Sequence, residues 1–165
     1  MISTRAVSAT VLAFLASQVL AVVVHGYLLA SDYAPYEGTL LRAGAAWQML
    51  FLPVAHLVFI SALVWVYTRL RLAGSTLTRG ATLGVIAWLL GQVPLWLVWY
   101  AEQPWPGALV VKQLGLELIS AMAIGIVIAA VARVPARTGQ QDAFTPGLSP
   151  LLPAAFAGRG RAPRE

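Results

Sequence analysis

Four apolar runs, at about residues 7–30, 48–68, 80–101 and 108–132, fill most of the chain, and short stretches of turn-forming or charged residues separate them. A helix needs about 20 predominantly apolar residues to cross a hydrocarbon core of roughly 30 Å, and every run reaches that length. The pattern predicts an all-α membrane protein with four transmembrane helices. Short connections make consecutive helices antiparallel neighbours, so the expected architecture is an up-down-up-down bundle. Gly74 and Ser75 turn the second connection and residues 104–107 the third. The first connection, residues 31–46, is the longest and contains Pro35 and Gly38, with room for a short interfacial helix or a lid.

Against this apolar background a few polar positions stand out: His25, His56, Gln92 and Glu117, one in each run. Counting inward at about 1.5 Å per residue places His25 roughly 7 Å deep, His56 about 12 Å, and Gln92 and Glu117 about 13 Å, within about one helical turn of each other. Gln18 and His25 share a face of the first helix, and Gln113, Glu117 and Ser120 share a face of the fourth. The second and third helices carry only single polar residues at this depth, which leaves their facing open.

Composition changes the picture by exclusion. Hydrophobic residues make up 59% of the chain and charged residues 10%, outside the range of soluble domains. There is no cysteine, so disulfides, thiolate nucleophiles and cysteine-bound clusters are ruled out. The net charge of +5 does not indicate nucleic acid, because the basic residues flank apolar spans instead of clustering with aromatics on a soluble face. They read instead as a topology signal. Arg5, Arg69, Arg71, Arg79, Arg133, Arg137, Arg159, Arg161 and Arg164 lie on one side, and only Arg42 and Lys112 on the other. By the positive-inside rule both termini are cytoplasmic and the first and third connections face outward. Tyr27, Tyr33, Tyr36, Trp47, Trp96, Trp99, Tyr100 and Trp105 mark the outer boundary and Trp65 and Tyr67 the inner one. Headgroup anchoring accounts for such belts, with a ligand cage as the alternative.

The first run is longer than a signal-peptide core and is read as a retained helix. After Arg133 the composition shifts to Pro, Gly, Ala and Arg, with too few large apolar residues for a second core, and residues 134–165 are expected to form a disordered cytoplasmic tail.

Lipid solvates leucine as well as another helix does, so close backbone approach must hold the bundle together. Gly80 and Gly84 form a GxxxG step, with Gly91 two turns on. Ala121, Gly125 and Ala129 recur every four residues on the last helix. These stripes serve packing within the chain or a homodimer seam. Pro53 and Pro94 lie close to His56 and Gln92 and are candidates for kinks.

Glu117 carries the most chemical information. An ionised acid at the centre of a membrane helix costs on the order of 2.5 to 3.5 kcal/mol, so it is expected to be protonated or paired, with His25 or His56 as partner. Lys112 is expected to snorkel outward. Two histidines and a carboxylate suit a ligand, a proton or a metal ion, while the bland alternative is interhelical hydrogen bonding that sets register. No HExxH motif, carboxylate pair or tight histidine spacing favours a metal. No cofactor or catalytic motif is present, and a cofactor is not expected. The leading expectation is binding of a small ligand, proton or ion in an outward polar pocket. The alternatives are an accessory subunit of a larger membrane complex and an enzyme acting on lipid, for which no nucleophile is evident. The partners these imply are the bilayer, a homo-oligomer or a membrane complex.

The run Val24-His25-Gly26-Tyr27-Leu28-Leu29, the aromatic loop ending near Arg42, Gly80 and Gly84, Tyr100 and Pro104, and Glu117 ahead of Gly125 together resemble small bacterial four-helix integral membrane proteins of unknown function. The resemblance spans about residues 5–133. It implies the four-helix fold and a bacterial inner membrane, and assigns no role to any residue.

Overall fold

A computed structural model of the chain describes residues 3–41 and 47–133. Arg42 and the tail expected over 134–165 lie outside the described residues. The helices are α1 (Thr4–Val23), α2 (Ala30–Tyr33), α3 (Phe51–Arg69), α4 (Thr76–Ala87), α5 (Val93–Glu102) and α6 (Gly107–Ala132). A π-helical turn, Val24–Leu28, extends α1; a second, Trp88–Gln92, joins α4 to α5; and a 3₁₀ turn, Trp47–Leu50, leads into α3. Four spans result, Thr4–Leu28, Trp47–Arg69, Thr76–Glu102 and Gly107–Ala132, each long and apolar enough to cross a bilayer. This is an all-α, four-helix membrane protein.

Local chemistry sets the helix ends. The Ser3 and Ser75 side chains accept hydrogen bonds from the Ala6 and Thr78 amides, satisfying donors that a helix N-terminus leaves unpaired. Gly74 precedes Ser75 at φ +100°, and Arg133 ends α6 in the left-handed region at φ 42°. The two π turns have distinct origins. Pro94 has no N–H for the Leu90 carbonyl and its ring crowds that oxygen. Val93 donates instead to Trp88, five residues back, which widens the turn. In the first span the Leu29 amide reaches the Val24 carbonyl at 2.9 Å without any proline nearby. Pro53 sits in the first turn of α3, where a missing amide is tolerated, and so causes no break inside that helix.

Helix α6 is the hub: α4 lies closest against it, α1 packs on another side, and α3 is held mainly by α1. The α4–α6 approach depends on glycine. A Cβ on Gly80 would meet the Ile126 amide nitrogen at 2.7 Å, one on Gly84 would meet the Met122 Cα at 2.5 Å, and one on Gly125 would meet the Gly84 nitrogen at 2.9 Å. Ala121 contributes backbone to the same contact and Ala129 is buried in the core. The small-residue stripes therefore pack within the chain. Gly91 does not share that face: it lies against the Phe59 ring of α3, because the π turn rotates the helix beyond Trp88.

Two clusters make up the interior. At the end that carries Ser3, residues 70–75 and Arg133, here the terminal end, the cluster is aliphatic and includes Ala9, Ala13, Ile60, Leu63, Leu83 and Ile128 around Tyr67. At the opposite, loop end it is aromatic, with Val24, Leu29, Trp96, Trp105, Leu109 and Val110. Exposed apolar side chains such as Val19, Val58, Leu90, Val111 and Ile119 form the surface that meets lipid.

Candidate functional site: a polar ring at the loop end

The chain leaves the first span at Leu29, a side chain only 1% exposed, and turns back as α2 over the start of α6. That reversal brings Tyr33 beneath an aromatic lid. Its ring lies 6.5 Å from Trp105, edge to face, and Trp105 in turn contacts Tyr36 at 5.5 Å and Trp96 at 6.1 Å. The Trp105 indole donates to the Gln103 side chain at 2.8 Å, which fixes the lid's centre. Outside it, Lys112 donates to both carboxylate oxygens of Asp32 at 2.9 and 3.0 Å, tying α2 to α6. Lys112 reaches outward, its side chain 58% exposed, to the carboxylate that α2 places there.

Beneath the lid four side chains close a ring. The Tyr33 hydroxyl donates to Gln113 Oε1. Gln113 Nε2 donates to Glu117 Oε1 at 2.8 Å, one helical turn along α6. His25 Nε2 lies 3.4 Å from the same carboxylate oxygen, and His25 Nδ1 lies 3.3 Å from the Tyr33 hydroxyl, with the two rings stacked at 6.0 Å. Gln113 is 1% exposed, whereas the His25 and Glu117 side chains are 41% and 20% exposed. The amide is the buried anchor and the acid–base pair is its accessible edge.

Counting protons around the ring fixes its chemistry. The single phenolic hydrogen goes to Gln113, so the Tyr33 oxygen accepts and His25 Nδ1 must donate. Gln113 presents its oxygen to the phenol and its NH₂ to the carboxylate; the flipped amide would set its oxygen against Glu117. His25 Nε2 and Glu117 then face each other across the remaining contact. Without a proton there, a lone pair would oppose a carboxylate. A proton placed between them, as imidazolium–carboxylate or as imidazole–carboxylic acid, would satisfy that contact. Burial, followed by the negative charges of Glu117 and Asp32, raises the Tyr33 phenol above its ordinary value, so it remains a neutral donor.

Of the four positions singled out by depth, His25 and Glu117 meet. His56 does not join them: its Nδ1 contacts Gln18 Nε2 at 2.9 Å, and Gln18 also donates to Ser17 at 3.3 Å. This second cluster, with Gln18 two turns along α1 from His25, lies within electrostatic reach of His25 and Glu117. The Gln92 side chain makes no hydrogen bond among the described residues. Its π turn is held to α6 by the Trp88 indole, which donates to the Leu114 carbonyl at 2.9 Å. Tyr33 is the member that sequence reasoning assigned to the interfacial belt. Only the fold of the first loop brings it back over His25. Gln113 was legible as the i,i+4 neighbour of Glu117 on one face.

Below Gln18 and His56 the polar side chains give way to the aliphatic core, so the polar column stops part-way across the bundle. Among the described residues no group of three or more His, Cys, Asp or Glu is placed to hold a metal ion. Comparison with family models, with curated proteins and with solved structures finds no match.

Proposed function

We propose that this membrane protein takes up a proton at the His25–Glu117 pair, and that a small cationic group can replace that proton, making the loop end a proton-linked binding site. The observation that carries the reading is the ring itself, in which Tyr33 and Gln113 hold the partly exposed His25 and Glu117 side chains face to face at 3.4 Å. A carboxylate at this depth strongly favours a counter-charge, which a proton or a small organic cation supplies. The aliphatic core beneath Gln18 and His56 favours binding at one end over conduction through the bundle. With the arginine asymmetry of the sequence, the loop end faces outward and both termini lie in the cytoplasm, in keeping with a bacterial inner membrane.

The test is infrared difference spectroscopy on reconstituted protein, stepping the pH from acid to neutral, on wild type, Glu117→Gln and His25→Gln. Wild type is expected to show a carboxylic acid band converting to carboxylate, lost in Glu117→Gln and displaced in His25→Gln. Methylammonium is expected to shift the wild-type transition to lower pH by competing with the proton. An unchanged spectrum in Glu117→Gln would defeat the proposal.

A further inference from the structure

Charge is divided between the two ends of the bundle. Among the described residues the acids are Asp32, Glu37, Glu102 and Glu117, and all of them belong to the loop half. At the terminal end, Arg5 and Arg133 form no ion pair among the described residues. They come together at an open, groove-like cavity of about 370 Å³ between the first turns of α1 and the last turns of α6, lined by the mostly exposed Thr4, Arg5, Ser8, Ala130, Val131 and Arg133. Antiparallel packing of α1 on α6 brings the two guanidinium-bearing residues, 128 positions apart in sequence numbering, to one cavity.

The lining has the chemistry of a phosphate site with an apolar wall. Two guanidinium groups stay charged at any physiological pH and match phosphate oxygens with paired N–H donors. Thr4 and Ser8 add hydroxyl donors one turn apart on α1, and the positive end of that helix's dipole opens at the same place. Ala130 and Val131 add an apolar wall beside these donors. A water-soluble anion would use only the first half of this lining. A phospholipid would use both halves. Basic residues beside transmembrane helices are where anionic headgroups are held.

We infer that the cavity between the start of α1 and the end of α6 binds the phosphodiester of an anionic phospholipid through Arg5 and Arg133, with Thr4 and Ser8 as supporting donors. This site is separate from the His25–Glu117 ring, at the other end of the bundle, and does not depend on that reading.

The test uses the full chain in vesicles of phosphatidylcholine with or without phosphatidylglycerol, reading the exchange of spin-labelled lipid at the protein surface. Wild type is expected to retain phosphatidylglycerol in preference to phosphatidylcholine. Arg5→Gln and Arg133→Gln are each expected to lower that preference by roughly five-fold. Arg5→Lys, which keeps the charge but loses the paired donors, is expected to fall between. Arg69→Gln with Arg71→Gln, outside the cavity but at the same end, controls for general surface attraction and is expected to leave the preference unchanged. The inference is overturned if the control pair weakens the preference as much as the cavity variants do, or if Arg5→Gln and Arg133→Gln, shown to be folded by their circular dichroism, retain it. It is also overturned if glycerophosphate in pure phosphatidylcholine raises the melting temperature while phosphatidylglycerol does not, since the occupant is then a soluble phosphate.

Discussion

Replacing Gly84 with alanine adds one methyl group where α4 and α6 touch backbone to backbone. The new Cβ would lie 2.5 Å from the Met122 Cα and closer still to the Ala121 carbonyl oxygen. Carbon atoms rest at about 3.5 to 4.0 Å, so the helices must separate by roughly 1 Å. A gap of that size forfeits about a quarter to a half of the dispersion energy across the contact. Because α4–α6 is the most extensive interface in the bundle, the expected loss is about 2 to 3 kcal/mol, at the upper end for overpacking. Gly115 supplies the control. It lies in the middle of α6, and a methyl group added there would meet nothing within 4 Å, so Gly115→Ala is expected to be neutral or to stabilise by up to about 1 kcal/mol. Equilibrium unfolding in mixed micelles, followed by far-ultraviolet circular dichroism with increasing denaturing detergent, reads both variants. The size of the assembly in mild detergent is expected to be the same for both, because the glycine stripe is used within one chain. Wild-type stability in Gly84→Ala, or destabilisation only through altered self-association, would refute the reasoning.

Tyr33→Phe leaves Gln113 Oε1 buried without its donor and is expected to cost about 1 to 3 kcal/mol in the same unfolding assay; a cost below that range would mean the ring is not formed. In alkaline ultraviolet titration Tyr33 is expected to ionise above the ordinary phenol range. Its folded pKa is raised, so the stability it contributes is complete below the ordinary phenol pKa of about 10 and declines as pH rises toward the folded value. Tyr67 has a buried hydroxyl with no partner among the described residues, so Tyr67→Phe is expected to leave stability unchanged or raise it by about 1 kcal/mol; a clear loss would mean the hydroxyl is hydrogen-bonded after all. Lys112→Gln removes an exposed ion pair and is expected to cost less than about 1 kcal/mol, while amide exchange in residues 30–36 accelerates as the lid loosens; unaltered exchange there would discount the pair as a tie.

The four spans could be read from the chain because bilayer thickness and the absence of water impose a length and a composition on any helix that crosses. The spans about residues 7–30 and 80–101 fall within Thr4–Leu28 and Thr76–Glu102 to within a few residues, the differences lying at helix ends, where polar caps such as Ser3 and Ser75 extend the helix beyond its apolar stretch. The GxxxG step of Gly80 and Gly84 was equally visible, since only hydrogen in place of a side chain permits backbone contact. Which helix would receive it was not, because lipid-facing and helix-facing apolar residues look alike in sequence.

The polar site divides along the same line. Depth follows from counting residues, and it placed His25, His56, Gln92 and Glu117 at a common level. Direction does not, because a π turn adds a residue to the helical repeat and rotates everything beyond it, as happens at Gly91 and Gln92. His56 faces Gln18 rather than Glu117, a matter of how α3 leans on α1. Tyr33 completes the ring only because the chain reverses at Leu29 and lays α2 across α6, and no local pattern encodes that reversal. Residue identities along the chain are enough for the solvent, the number of crossings and the presence of a carboxylate that needs a partner, since those depend on the transfer energies of individual residues. Which side chains surround it came only from the packing, since that depends on the distances between residues far apart in the chain.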